Sequence, residues 1–229
     1  MRIGAIQRFS LIDYPGKICA IVFTQGCNFR CPYCHNPELV NPQLFTETIP
    51  QEYLLNFLRT RQGKLDAVSI TGGEPTLHLD LHQMIDQIKG LGYLVKLDTN
   101  GTNPEMLEFL IGNKLVDYLA MDIKAPLNRY EKVTGVKFNT ALIRRSINII
   151  KNSGVEYEFR STLMEDLLTD VEILNMGELI GKANRFYLQN FVPHKTLDIN
   201  YQKVKSLSPE RLAHWSSILS KNILEFAVR

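Results

Sequence analysis

Short β-rich runs alternate with longer helical patterns along this chain, and that alternation restricts the fold more than any other feature. The runs lie at 18–23 (ICAIVF), 67–71 (AVSIT), 94–98 (LVKLD), 117–123 (DYLAMDI), 156–162 (EYEFRST) and 185–190 (RFYLQN). Most are dominated by Val, Ile, Leu, Phe or Tyr, as strands buried on both faces should be. Helical patterns fall between them at 51–62, 81–91, 105–111, 140–152 and 170–182; in 81–91, Leu81, Ile85 and Ile88 recur at i, i+4 and i+7. Asn103-Pro104 reads as an N-cap followed by proline at the first helical position. Asn139 is a candidate cap, and Gly154 a stop, for 140–152. Ser208-Pro209 opens a last helix running to about 220, and 223–228 reads as a final strand.

Strands separated by helices predict an α/β fold on a parallel sheet. Six βα units fall short of the eight of a closed barrel. A partial (β/α)6 barrel and an open doubly wound sheet both fit, and periodicity does not choose between them. In either, ligand groups sit at the C-terminal ends of the strands. No stretch reads as a linker, so residues 1–229 are expected to form one domain with a core at about 16–195. The 26 Lys and Arg nearly balance 24 Asp and Glu, which excludes an acidic tail or a strongly basic nucleic-acid footprint. No apolar run approaches the ~18–20 residues of a membrane span, and the first residues lack a signal-peptide core. The expectation is a cytoplasmic chain with neither nucleic acid nor membrane as partner.

Of the four cysteines, three crowd together as Cys27, Cys31 and Cys34, spaced C-x3-C-x2-C. They lie where a strand gives way to a loop rich in Gly, Asn and Pro. Three thiolates on one short loop can converge on one soft metal centre. A structural zinc site is usually closed by four ligands, and an iron–sulfur cluster usually takes four thiolates. Three therefore leave a position open. His35 is a candidate fourth zinc ligand, although its adjacency to Cys34 makes joint tetrahedral ligation awkward. Cys19, inside ICAIVF, reads as a small core residue.

This motif, with an aromatic before its last cysteine, resembles the cluster motif of the radical S-adenosylmethionine (SAM) superfamily. In that family a six-unit partial barrel holds a 4Fe–4S cluster on three cysteines, and the open iron chelates the amino and carboxylate groups of SAM. The resemblance implies one cluster on Cys27, Cys31 and Cys34, with Tyr33 near the adenine. Gly72-Gly73-Glu74-Pro75 follows the second run. Alone it is a turn whose glycines allow close backbone approach; it looks like the family's GGEP segment, which binds the methionine amino group of SAM.

Asp98-Thr99-Asn100-Gly101 and Asp122-Ile123-Lys124 end the next two runs. Asp98 read alone caps a turn before Asn100-Gly101. Asp122 and Lys124 share one strand face and can pair there. Both segments resemble the glycyl-radical-enzyme activating branch. That resemblance implies Asp98, Thr99 and Asp122 as ligands of a monovalent cation beside SAM, with Ala120 offering its carbonyl. It also puts Lys124 near the SAM carboxylate or the substrate. Asp13-Tyr14-Pro15-Gly16 looks like the branch's D-G-P-G stretch with Tyr14 replacing Gly, which makes Asp13 a candidate substrate contact; read alone it is a β-turn. Cys34-His35-Asn36 matches the branch's C-H-N, with His35 and Asn36 shaping the loop by local hydrogen bonds. Arg160, charged within a strand, needs SAM or a carboxylate as partner. His194, after Val192-Pro193, resembles a P-H pair near the adenosyl group.

The resemblance implies a reaction. A flavodoxin or ferredoxin reduces the cluster, SAM is cleaved to a 5′-deoxyadenosyl radical, and that radical takes hydrogen from a glycine of a partner glycyl-radical enzyme. The activating proteins of anaerobic ribonucleoside-triphosphate reductase look most similar. The competing expectations are a small-molecule radical SAM enzyme of the 7-carboxy-7-deazaguanine synthase type and a non-catalytic zinc- or cluster-binding protein.

Overall fold

A computed structural model describes all 229 residues. Eight strands form one sheet whose order follows the chain, β1 to β8. They are β1 (Ile3–Ser10), β2 (Cys19–Thr24), β3 (Ala67–Gly72), β4 (Leu94–Thr99), β5 (Tyr118–Asp122), β6 (Glu156–Leu163), β7 (Ala183–Asn190) and β8 (Ile223–Val228). β1 runs antiparallel to β2, and every later pair is parallel. The helices are α1 (Pro37–Val40), α2 (Gln51–Arg59), α3 (Leu81–Gly90), α4 (Pro104–Gly112), α5 (Tyr130–Thr134), α6 (Ala141–Lys151), α7 (Asp170–Ile180) and α8 (Pro209–Leu219).

The two faces of the sheet differ in chemistry, and this difference decides the architecture. On the outer face Val95, Leu97, Leu119, Met121, Phe159, Phe186 and Leu188 join Leu54, Ile85, Ile88, Leu107, Ile147, Ile150 and Ile173 of the helices in one large core. The alternate positions turn inward. They carry Lys96, Asp98, Asp122, Glu158 and Arg160, beside a small cluster of Tyr14, Cys19, Ile21, Ala67 and Tyr118. A doubly wound sheet needs apolar surface on both faces. This one has its main apolar surface outside and a polar lumen inside, so it is a partial barrel. The expectation that the strands are apolar on both faces is corrected from β4 onward.

Several local signals act as read. Asn103 accepts from Met106 N at 3.2 Å and Ser208 from Arg211 N at 3.2 Å, each ahead of a proline at the first turn. Thr169 and Glu172 form a capping box on α7. Other signals shift. α6 starts at Ala141 with Thr140 as its N-cap residue, while Asn139 accepts from Ala141 N at 3.1 Å. The turn before β2 closes from Lys17 N to Tyr14 O at 3.2 Å, with Pro15 second and Gly16 at φ +68°, one residue later than expected. β1 lies outside the expected strands because its second half, Gln7 to Phe9, is exposed at the sheet edge and makes no apolar run. The sheet also continues beyond residue 195, where β8 pairs in parallel with β7.

Candidate active site

The cysteine loop leaves β2 at Thr24 and is fastened along its length. Gly26 N donates to Leu39 O at 2.8 Å, Arg30 N to Thr134 O at 2.8 Å, Cys34 N to Cys31 O at 3.0 Å, and Asp198 N to Pro32 O at 2.9 Å. Phe29 anchors it in the core against Tyr130 and Phe138. The loop after β3 lies directly on it. Gly73 N donates to Thr24 O at 2.8 Å and Glu74 N to Gly26 O at 2.7 Å. A Cβ on Gly73 would stand 2.1 Å from the Gly26 carbonyl oxygen, and one on Gly72 2.4 Å from Thr24 N. These glycines are therefore required by contact between two loops of the chain itself.

Glu74 is fully buried. Its carboxylate accepts from Thr76 N at 3.1 Å, from the Thr76 hydroxyl, from the Thr99 hydroxyl at 2.8 Å and from Asn100 N at 2.6 Å. Burial pushes its carboxyl up, against the pull of those hydrogen bonds. Its side chain thus ties the β3 loop to the end of β4. Asn100 extends the connection, donating to Asn28 Oδ1 at 2.9 Å and lying 4.0 Å from Cys27 Sγ. The sequence reading saw Asn100 only as a turn residue.

Inside the lumen Arg160 bridges two carboxylates. Its Nη1 lies 3.1 Å from Asp98 Oδ2 and its Nε 2.9 Å from Asp122 Oδ1. Lys96 pairs with Asp98 Oδ1, and Lys124 Nζ lies 3.0 Å from Asp122 Oδ2. Burial would raise both acids, but the neighbouring cations outweigh it and hold Asp98 and Asp122 below the usual carboxylate range. The pairing of Asp122 with Lys124 occurs as read, and Arg160 finds carboxylates. Lys96 was missed, though it shares a strand face with Asp98 two residues on.

Cys27, Cys31, Cys34, Tyr33, Gly72, Gly73, Glu74, Asp98, Thr99, Asp122, Lys124 and Arg160 line one cavity at the C-terminal ends of the strands. Asp13 does not join them. β1 and β2 pair Ser10 with Cys19, so Asp13 sits at the opposite end of β2, in a lower recess with Lys96, Glu158 and Arg229. His194 is exposed after β7 and lines neither cavity. His35 acts over a longer range than expected: it stacks on Phe191 at 5.3 Å, and its Nε2 lies 3.0 Å from Val192 O. Cys19 is buried apart in the inner cluster.

The donor set can be tested against each implied group. All three loop cysteines are free thiols. Burial pushes Cys27 up to about 12 and Cys31 up to about 11, and raises Cys34, so the unloaded thiols are protonated at neutral pH. No three Cys, His, Asp or Glu side chains converge tightly enough for one metal ion. The loop supplies three thiols, one short of the four ligands of a closed zinc site, and three thiolates on separate irons suit a multi-iron cluster with one open position. The Tyr33 hydroxyl is buried without a partner beside the same cavity, as expected of a pocket wall that meets a polar ligand. The residues thus fit a cluster with a polar cosubstrate. At the positions expected to hold a monovalent cation, Asp98 and Asp122 pair with Arg160, Lys96 and Lys124, and the Thr99 hydroxyl donates to Glu74.

Comparison with known proteins decides the family. Residues 21–176 match the radical SAM superfamily. A Methanocaldococcus jannaschii protein, provisionally named a glycyl-radical enzyme activating enzyme, is 31% identical over 99% of this chain and 95% of its own length. The chain belongs to the radical SAM superfamily, in its glycyl-radical-enzyme activating branch. The pyruvate formate-lyase-activating enzyme of Clostridium pasteurianum is 30% identical over 89% of this chain and 86% of its own. Among solved structures, Streptococcus suis SuiB bound to S-adenosylmethionine superposes with a TM-score of 0.68 at 18% identity. That alignment covers 91% of this chain and 49% of SuiB, so this radical SAM chain spans about half of SuiB and shares its fold. The chain is an oxidoreductase of the activating-enzyme type. No helix is long and apolar enough to cross a membrane.

Proposed function

We propose that this chain cleaves SAM reductively and uses the resulting carbon radical to take a hydrogen atom from a backbone glycine of a separate enzyme. The observation that carries the reading is the meeting, in one cavity, of three free thiols with a charged strand-end cluster and an unpartnered tyrosine hydroxyl. Cys27, Cys31 and Cys34 would hold a 4Fe–4S cluster, with no fourth side chain to close it. When bound, that cluster supplies one electron to the sulfonium of SAM. Lys124 and Arg160 present positive charge for the SAM carboxylate, and Asp122 holds both cations in place. The backbone around Gly72 and Gly73 offers carbonyls to the amino group. Tyr33 supplies a hydroxyl to the adenosyl portion. Neither Asp13 nor His194 has support as a contact of this cavity.

The glycine-bearing partner is proposed from the name of a relative for pyruvate formate-lyase, and from the motif resemblance for the reductase. Pyruvate formate-lyase types and anaerobic ribonucleoside-triphosphate reductase are the first to try, with a flavodoxin or ferredoxin as donor in an anaerobic cytoplasm. The test is anaerobic loading with iron and sulfide, then dithionite and SAM. About four irons per chain and SAM-dependent 5′-deoxyadenosine are expected, followed by a glycyl radical signal when a partner is added. One tightly held zinc and no cleavage would replace the reading with that of a binding protein. Cleavage that turns over only with a small purine-like substrate would favour the deazaguanine-synthase alternative.

A further inference from the structure

On the outer side of the cysteine loop lies a cleft that the reaction at the cavity does not use. Its walls are α5 with the residue before it, the turn after β6, and the 3-10 turn Ile199–Lys203, and it is lined by Arg129, Lys132, Asp166, Tyr201, Lys203 and Lys205 among others. Two of its charges are internally offset: Arg129 pairs with Glu172, and Glu165 in the floor pairs with Arg211. Lys132, Lys203 and Lys205 are exposed and have no acidic partner, against Asp166 alone. On a chain carrying only +2 overall, this is a local concentration of uncompensated positive charge. Lys137 and Arg30, both exposed, continue it past the end of α5.

The position of the cleft gives that charge a meaning. Two of its three walls grip the cysteine loop between its ligand positions: Thr134 O, at the end of α5, accepts from Arg30 N, and Asp198 N, at the head of the 3-10 turn, donates to Pro32 O. Tyr201 lines the cleft, and its ring stands 6.4 Å from that of Tyr33, which lines the cysteine cavity from the other side. A pair of aromatic rings therefore separates the lysine-rimmed surface from the thiols. Electrostatic complementarity of this kind speeds encounter with a partner of opposite charge and orients it.

We propose that this cleft is the docking surface for a small acidic protein that carries single electrons. The inference rests on the reading above that the three cysteines hold a redox group. One electron leaves the reduced donor and passes by way of Tyr201 and Tyr33 to that group; the donor is oxidised by one electron, and no bond forms and no proton moves. The cleft shares no lining residue with the cysteine cavity.

The test uses flavodoxin as the acidic probe and a triple variant, Lys132→Glu, Lys203→Glu and Lys205→Glu. Binding of flavodoxin to the anaerobic chain is followed by calorimetry, and reduction of the loaded chain by absorbance. Wild type is expected to bind about tenfold more weakly when salt rises from 50 to 300 mM, as screening predicts. The triple variant is expected to lose about tenfold in both affinity and reduction rate, while dithionite still drives 5′-deoxyadenosine formation at the wild-type rate. A control with the same net charge, Lys64→Glu, Lys114→Glu and Lys221→Glu, should behave as wild type. Wild-type binding and reduction in the cleft variant, or equal loss in the control, would overturn the assignment. Absence of 5′-deoxyadenosine from wild type with dithionite would sink the functional reading instead, and the binding arm would still decide the cleft.

Discussion

Glu74 shows how a residue that looks like a ligand contact can be held by its own chain. Its four hydrogen bonds come from Thr76, Thr99 and Asn100, so Glu74→Gln would turn an amide donor toward existing donors. The expected loss is about 2 kcal/mol in chemical denaturation, the scale of a buried polar group left unpaired; an unchanged midpoint would show that the network carries no stability. The cysteines make the opposite case: their loop and spacing mark them as a candidate metal centre, and the family resemblance makes them the implied cluster ligands. Cys31→Ala should fail to retain iron after reconstitution, whereas Cys19→Ala should retain it, because Cys19 belongs to the small inner core. Iron retained by the first variant, or lost by a folded second one, would remove the assignment. The motif around Glu74 was legible as a motif, but its partners were not. Thr76 follows in the same segment, but Thr99 and Asn100 arrive from the end of β4, and strand register is not written in a six-residue segment.

At the level of elements, most helices and strands were readable because their apolar spacing is local. The lumen was less so. In EYEFRST the alternation is plain, with Glu156, Glu158 and Arg160 on one face and Tyr157, Phe159 and Ser161 on the other. The polar set reads as solvent-facing or buried only once curvature is known, and curvature depends on all the strands together. The last helix was expected as a helix without a stated purpose. It supplies fully buried Trp215, whose indole N–H donates to Asp170 Oδ1 at 2.7 Å on α7. Trp215→Ala should lower stability by about 3–5 kcal/mol, with the cysteine loop still able to take iron at low temperature. A loss below ~1 kcal/mol in a denaturant titration would mean that α8 is not part of the cooperative core.

Across the whole molecule, the lumen charges set the response to acid. Asp98 and Asp122 titrate below the unfolded value of about 3.9, so the stability they contribute is full above about pH 4 and is lost as pH falls through their folded values. Glu74 is raised instead, so its contribution is full below about pH 4.3 and is lost as pH rises through its folded value. The stability difference between wild type and Asp122→Asn should therefore be largest near neutrality and shrink below pH 4. A difference that grows on acidification would reverse the sign of the argument. The strand order has a separate bearing on how the protein is made. Each strand pairs with the one before it in sequence, so no strand emerging from the ribosome waits for a partner not yet synthesised, and the sheet can be laid down as translation proceeds. The cradle for the cofactor does not share that convenience. Its thiols emerge by residue 34 and its bridging arginine only at residue 160. For most of its synthesis the nascent chain thus carries the three cysteines before the charged wall of their cavity is complete.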